Sequence, residues 1–304
     1  MENENTFLKS TSGYLFANPD TAISSLKQQV DLNLLPIEIR RQKEGIPNTL
    51  PCNFDIARFY KRLETKIFGR FLVYVPVCES TMNISESLSK AFPNIDGILV
   101  VTGSALFTIN LVVPFDSSIS KSLVLIQHLI AVSICKAVTE FIPDFPIRIK
   151  WPNDIYYKRD FKLGGILISS SQSENEFNCF IGVGLNISNS NPTICINDLI
   201  SENIKKLETE EIIAQIMNKF EDQLEFFKLN GFSSLKREYE NFWLHKDEKV
   251  SVRLDADIEE KVTIKGIDEN GYLLVLKESG EYESVMDNGN RFDLLQGLIF
   301  QNRN

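Results

Sequence analysis

Apolar positions along this chain change rhythm several times. Short apolar runs at 71–77, 98–101, 106–113, 147–151, 155–157, 163–169 and 177–185 read as strands. Between and after them, apolar residues recur every three or four positions at 54–63, 84–92, 121–141, 208–229 and 233–243, which predicts helices. Ser80 or Thr81 stands where the N-cap of the 84–92 helix belongs. The stretch VVTGSALFT at 100–108 reads as two strands closed by a two-residue turn, with Gly103 at its first position and Ser104 at its second. From Lys249 onward the segments shorten to VSVRL, KVTIKGI, YLLVL and YESVM, with turn signals at 268–271 and 287–290. Closely spaced short strands predict a small barrel. Residues 1–50 are weakly patterned. Asp20-Thr21 is placed to cap a short helix ending near Val30, and Pro36 and Pro47 interrupt the chain beyond it.

Composition narrows the class. The chain has 304 residues, 43% hydrophobic and 24% charged, which predicts packed cores and about two domains. A net charge of −9 and a pI of 5.0 argue against broad binding to nucleic acid or an anionic membrane. Cys52, Cys78, Cys135, Cys179 and Cys195 are scattered, odd in number and include no CxxC. Reduced thiols in an intracellular protein fit that pattern better than disulfides or zinc. His128 and His245 are the only histidines, and His128 lies in an apolar run where a packing role is expected. The start, MENENTFLKS, lacks the apolar region of a secretory signal. The 123–138 run holds Gln127, His128 and Lys136, so a buried helix is expected there, not a membrane span. The expected location is cytoplasmic, with a mitochondrial form left open.

Candidate chemistry concentrates in RIKWPNDIYY at 148–157 and KLGGIL at 162–167. Pro152 and Asn153-Asp154 make a turn between two strands, with Asp154 at the turn. Lys162 opens the next strand at a charge step before Gly164-Gly165. Glycine inside a strand marks close approach by a ligand or a second backbone, and a neighbouring lysine can meet a carboxylate or phosphate. Either piece alone is an ordinary hairpin feature; together they point to a site. A weaker signal is GVGLNI at 182–187, whose alternating glycines leave one sheet face open and put Asn186 at the strand end. Close packing of helix on sheet explains that stretch equally well. At Ser80-Thr81, the hydroxyls and free backbone N–H groups of a helix start can bind a polar ligand, although a plain N-cap explains them too.

KWPNDIYY, KLGGIL and GVGLNI, in this order and spacing, resemble the catalytic domain of biotin protein ligases, and 188–199 resembles the eukaryotic holocarboxylase synthetase branch. The resemblance runs from about residue 67 to 300. It implies an α+β fold, a mixed sheet with helices related to class II aminoacyl-tRNA synthetases, with a small SH3-like barrel after it. The implied organisation is an N-terminal appendage over 1–66, a catalytic domain over 67–245 and the barrel over 246–304. The implied reaction uses ATP and biotin as substrates, with Mg²⁺. Biotin's carboxylate attacks the α-phosphate, pyrophosphate leaves, and a lysine of a carboxylase's carrier domain then takes biotin from biotinyl-5′-AMP. Lys162 matches the lysine at the biotin carboxylate and α-phosphate. Ser80 and Thr81 match the pair at the ureido ring, and Gly164 and Gly165 the residues admitting the ligand. Gly184 and Asn186 fall near the adenylate. Asp154 is assigned to help the incoming amine or a magnesium ion. Lys150 and Trp151 are assigned to structure. The resemblance implies no oligomeric state.

One departure is large. The family carries a loop of the form Q-T-x-G-[RK]-G-R-x-G-N-x-W, ending in S-P-x-G, that covers biotin and the phosphates. Here Thr102-Gly103-Ser104 runs directly into Ala105-Leu106-Phe107. Losing one preorganised donor to developing charge costs about 10²–10³ in rate, and several are missing here together with the cover that excludes water, so a nearly inactive adenylating enzyme is expected. Two further readings rest on the same residues. One is a non-catalytic binding module; the other is a lipoate or octanoyl ligase, which shares the core.

Overall fold

The computed structural model describes residues 13–17, 37–41, 54–93, 95–189, 193–255, 258–286, 291–293 and 298–300. The proposed 20–30 helix and the 287–290 turn lie outside these residues.

A nine-stranded mixed sheet organises the larger part. Its strands are β1 (Gly13–Ala17), β2 (Ile37–Arg41), β3 (Phe71–Tyr74), β4 (Leu99–Val101), β5 (Leu106–Pro114), β6 (Ile147–Lys150), β7 (Asp154–Tyr157), β8 (Phe161–Gln172) and β9 (Glu176–Leu185). The spatial order is β2-β1-β3-β4-β5-β9-β8-β7-β6. β1–β2 and β3–β4 are parallel, and the other neighbours are antiparallel. The expected α+β class with a mixed sheet is therefore observed. The appendage expected over 1–66 contributes to this sheet, because β1 pairs with β3 in register from Tyr14↔Tyr74 to Ala17↔Phe71. Nothing in the weak pattern of 1–50 signals that pairing. A strand added at the end of a sheet needs only a free backbone ladder to join, and β1 in turn offers one to β2.

Alternation along the strands sends side chains to two cores. Leu72, Tyr74, Leu99, Val101, Phe107, Ile109, Ile181 and Val183 join the large core. That core also takes in α1 (Ile56–Arg62), α3 (Ile126–Phe141), α5 (Thr209–Asn230) and α6 (Phe232–Phe242), the short α4 (Ile196–Leu199) lying after β9. Val73, Val75, Val100 and Ile98 face the other way, against Ile84, Leu88 and Phe92 of α2 (Thr81–Ala91). The helix expected at 121–141 begins as a 3-10 turn, Ser120–Leu125, with Ser122 outside helical geometry. Together with α3 it is long and apolar enough to cross a membrane, yet 67% of its most apolar window is buried within this fold.

The C-terminal part is a six-stranded sheet of order β13-β12-β11-β10-β15-β14, made of β10 (Lys249–Asp255), β11 (Ile258–Ile267), β12 (Leu273–Lys277), β13 (Tyr282–Val285), β14 (Arg291–Asp293) and β15 (Leu298–Phe300). Its apolar side chains Val250, Val262, Ile264 and Val275 belong to the large core, not to a separate one. Trp243 bridges Ile149, and Leu244 N donates to Ile149 O at 3.0 Å. The chain thus passes from one sheet to the other between β6's bridge to Trp243 and β10, and the two sheets share side chains of one core.

Candidate functional site

An open cleft of about 400 Å³ lies beside α2, on the face of β5, β9 and β8 away from the large core. Ser80, Thr81, Met82, Leu106, Asn153, Asp154, Lys162, Gly165, Gly182 and Gly184 are among its lining residues. The structure thus brings together Ser80, Thr81, Asp154, Lys162, Gly165 and Gly184 from the sequence-predicted set.

A β-bulge makes the pairing of Lys162 with Gly165 on one face. β7 and β8 run in register from Asp154↔Gly165 to Ile155↔Gly164, then shift so that Tyr156 meets Lys162. The extra residue, Leu163, turns into the core with no exposure. Residues three apart in a regular strand point to opposite faces; the bulge lets 162 and 165 share one. Lys162 Nζ then sits 2.6 Å from Asp154 Oδ1. Lys150 Nζ lies 3.8 Å from the other oxygen, Oδ2, and 5.4 Å over the Tyr156 ring. Asp154 is therefore a bridge between two ammonium groups, and Lys150, assigned to structure from the sequence, belongs to this charge network.

The glycines differ in what they serve. A Cβ on Gly165 would lie 3.4 Å from Asp154 Oδ1 and 3.6 Å from Lys162 Nζ, so its bare face belongs to the cleft. A Cβ on Gly164 would fall 2.3 Å from the Gly184 carbonyl oxygen. Gly164 therefore permits close approach of β8 to β9, and of the two glycines Gly165 is the one that lines the cleft. Met82 and Leu106 reach over Gly182 and Gly184, with Met82 Sδ 2.9 Å and Leu106 Cδ2 3.0 Å from the corresponding Cβ positions. The bareness of these two glycines is thus used by neighbouring side chains. Asn186 does not line the cleft. Its Nδ2 donates to Thr193 Oγ1 at 3.0 Å and its backbone N to Leu163 O at 2.7 Å, fixing the chain after β9.

At the opposite wall, Ser80 Oγ accepts from Asn83 N at 3.3 Å and caps α2. Thr81 Oγ1 shares a hydrogen bond of 2.8 Å with Thr108 Oγ1, a fully buried hydroxyl on β5. Cys78 sits at the same wall, its thiol pushed up by burial against the opposing pull of a hydrogen bond from the Ser80 backbone. Met82, Leu106 and Thr108 were not singled out from the sequence, and Lys150 was assigned to structure. Only Lys150 carried a signal, its place four residues before Asp154.

The hairpin over 102–106 differs from the expected turn. Val101 pairs with Phe107, and Thr102 N donates to Leu106 O at 3.1 Å, so the loop holds three residues, 103–105. Gly103 is not among the left-handed glycines, which a two-residue turn with glycine first would require. Instead, Thr102 Oγ1 lies 3.0 Å from Ser104 Oγ and 3.1 Å from Ser104 O, holding the loop by its own polar groups. Leu106 is left 52% exposed at the cleft.

Among the described residues, the lining carries one cation, Lys162, against the carboxylates of Glu79 and Asp154. Among the same residues, no group of three or more His, Cys, Asp or Glu side chains could hold a metal ion. Asp154 is already engaged by two lysines, so these residues do not build a magnesium site by themselves.

Residues 77–186 match the model of the biotin/lipoate A/B protein ligase family. The chain is 31% identical over 309 aligned positions to the human biotin--protein ligase, with 92% of this chain and 42% of that protein covered. It is 29% identical to the chloroplastic biotin--protein ligase 1 of Arabidopsis thaliana, covering 81% of this chain and 73% of the relative. The chain therefore spans less than half the length of the human protein. The biotin protein ligase of Aquifex aeolicus, solved in complex with biotin and ATP, superposes with a TM-score of 0.53 at 20% identity, over 73% of this chain and 97% of that one. The cleft, with its Asp154–Lys162 pair and its Ser80-Thr81 wall, falls inside the matched segment, so the likeness to the biotin/lipoate A/B protein ligase family rests on the same residues that build the site.

Proposed function

We propose that this chain is a biotin--protein ligase whose cleft binds biotin and whose adenylating step is slow. The observation that carries this reading is the cleft itself. It sets hydroxyls and a helix start at one wall, Ser80 and Thr81, against one cation, Lys162, at the other. A bicyclic urea with an acid tail calls for polar groups at one end and a cation at the other. Thr81 stays oriented by Thr108, and the first-turn N–H groups of α2 have no partner within the helix. Lys162 screens the carboxylate, and Asp154 keeps the ammonium in place when the cleft is empty.

The reaction would join biotin's carboxylate oxygen to the α-phosphorus of ATP and release pyrophosphate. An amine of a carboxylase's carrier domain would then attack the acyl carbon and release AMP. Both partners of the first step are anionic, so cations must gather. With Lys162 set against Glu79 and Asp154, the lining supplies little screening beyond that lysine. The three-residue hairpin supplies neither charge nor cover, which supports slow adenylation over full activity. Magnesium would enter on the nucleotide, held by phosphate oxygens. The six-stranded C-terminal sheet supports the SH3-like barrel reading, and Gly184 remains assigned to the adenylate side of the cleft.

Calorimetry with biotin, beside pyrophosphate release with biotin and ATP, tests this reading. Biotin binding with slow release is expected. Lipoate outcompeting biotin would move the reading to the lipoate branch, and no binding of either acid would end it. The binding-module alternative is favoured if biotin binds and no adenylate forms at any enzyme concentration.

A further inference from the structure

We propose that the backbone carbonyl of Gly271, in the C-terminal sheet, positions the cleft's charged turn through Trp151, and that His128 holds this carbonyl in place. The inference rests on the biotin-binding reading only for what the positioning is used for.

Gly271 O accepts two hydrogen bonds. Trp151 Nε1 donates at 3.0 Å and His128 Nε2 at 3.1 Å. A carbonyl can only accept, so His128 carries its proton on Nε2. Both of the oxygen's lone pairs are then used, by donors from α3 and from the end of β6. The turn that carries Gly271 is itself tied. Gly271 N donates to Asp268 O at 2.9 Å, and Asp268 Oδ1 accepts from Asn270 N at 2.8 Å and Tyr272 N at 2.9 Å. Gly271 has φ +78°, and a Cβ there would sit 2.7 Å from His128 Nε2. Glycine is needed both for the turn and for the histidine's approach.

Trp151 stands three residues before Asp154, at 1% exposure. The intervening Asn153 is held from the other side, its Nδ2 donating to Ile166 O at 2.8 Å and its O accepting from Ile166 N at 2.9 Å. The Asp154 turn is thus gripped between β8 and the C-terminal sheet. No described residue of the 246–286 segment lines the cleft; the segment reaches the cleft's strands at this grip and through the ion pair of Glu248 with Arg159 in the β7–β8 turn. His128 adds a telling cost. It is fully buried and its Nδ1 has no partner, so a leucine would pack there without an orphan nitrogen. The donor on Nε2 is what distinguishes histidine at this position. A displacement of about 1 Å in a reacting group can cost 10²-fold, which gives such a grip its leverage.

The test uses the full chain, in wild-type form and as Trp151→Phe, His128→Leu, His128→Gln and Val275→Ala. Val275 is a core residue of the same C-terminal sheet, away from Gly271's hydrogen bonds. Trp151 and Trp243 are the only tryptophans, so a Trp243→Phe background isolates the Trp151 indole N–H resonance. We expect Trp151→Phe and His128→Leu to weaken biotin binding on the order of tenfold. His128→Gln, which keeps a donor, should recover most of that. Val275→Ala should lower the melting temperature without changing biotin affinity. His128→Leu should also shift the Trp151 indole and Lys162 Cε resonances. Equal loss of affinity in Val275→Ala and His128→Leu at equal loss of stability would overturn the proposal, as would unchanged affinity in His128→Leu. If wild-type protein binds no biotin, the function reading falls and the Lys162 resonance decides alone: unchanged in His128→Leu, it overturns the positioning role; shifted there and unmoved in Val275→Ala, it supports it.

Discussion

Two hairpins flank the cleft. The one between β6 and β7 carries Lys150, Trp151, Asn153 and Asp154, and is gripped from two sides by Ile166 and Gly271. The one between β4 and β5 carries Gly103, Ser104 and Ala105, has no charge, and is held mainly by Thr102. Both close neighbouring antiparallel strands of one sheet. The difference teaches that fold and chemistry separate cleanly here. A sheet needs only a connection of workable length between β4 and β5, and three residues suffice. Binding and turning over an anionic pair needs donors placed at the mouth, and this connection brings none.

Giving the second hairpin what the first has is the most forceful way to break this contrast. Inserting a glycine- and arginine-rich loop of the family pattern between Ser104 and Ala105 should raise pyrophosphate release by about 10²–10³. A loop-bearing variant that folds and binds biotin but gains no rate would show that hairpin length is not what limits the chemistry.

The glycines of the first hairpin's partner strand sharpen the contrast next. Gly164→Ala forces a methyl into the Gly184 carbonyl and should cost about 1–3 kcal/mol in urea unfolding. Gly165→Ala meets only side-chain tips at 3.4 Å or more and should leave stability within about 0.5 kcal/mol while weakening biotin binding. The reverse ranking would mean the β8–β9 packing has been misassigned.

Lys162→Met removes the cleft's cation and should weaken biotin binding about tenfold, the lysine being half exposed and partly screened. Lys162→Arg should retain more of the affinity. Equal losses in both would point to shape, not charge.

The smallest effect concerns pH. Burial lowers His128, beside the first hairpin, from 6.5 to about 4, and raises Asp96, before β4, from 3.8 to about 6. Between pH 4 and 6 the unfolded chain binds a proton at His128 that the folded chain refuses, so this term makes stability rise with pH. Asp96 does the opposite, because there the folded chain holds the proton. The two slopes offset each other in the wild type. Asp96→Asn should uncover the histidine slope, up to about 1.4 kcal/mol per pH unit, in urea titrations from pH 4.5 to 6. A slope unchanged from the wild type would mean that Asp96 titrates alike in the folded and unfolded chain, and a flat slope in the variant would mean the same of His128.

Much of this was legible in the chain. Apolar periods of two and of three to four residues located β3 to β9 and the main helices within a few residues, because burial of one face imposes that period. The pair Lys162 and Asp154, and the Ser80-Thr81 helix start, were readable because charge steps and caps are local features. Strands β1 and β2, added outside β3 at one end of the sheet, were not, since backbone ladders leave little mark on composition. Nor was the role of Gly164 as against Gly165. Both sit in the same KLGGIL, and only the bulge at Leu163 decides which one faces the ligand side.

The sequence by itself determined the order of elements, the family resemblance and the presence of a short uncharged hairpin after Thr102, though not its three-residue length, because each depends on residues close together along the chain. Tertiary structure alone decided that Asp154 bridges Lys150 and Lys162 and that Met82 and Leu106 cover Gly182 and Gly184. It also decided that His128 and Trp151 meet at one carbonyl more than a hundred residues away. Such contacts depend on register, bulges and the docking of one sheet on another. A one-residue shift in any of these moves a side chain to the opposite face without altering the pattern that predicted the strand.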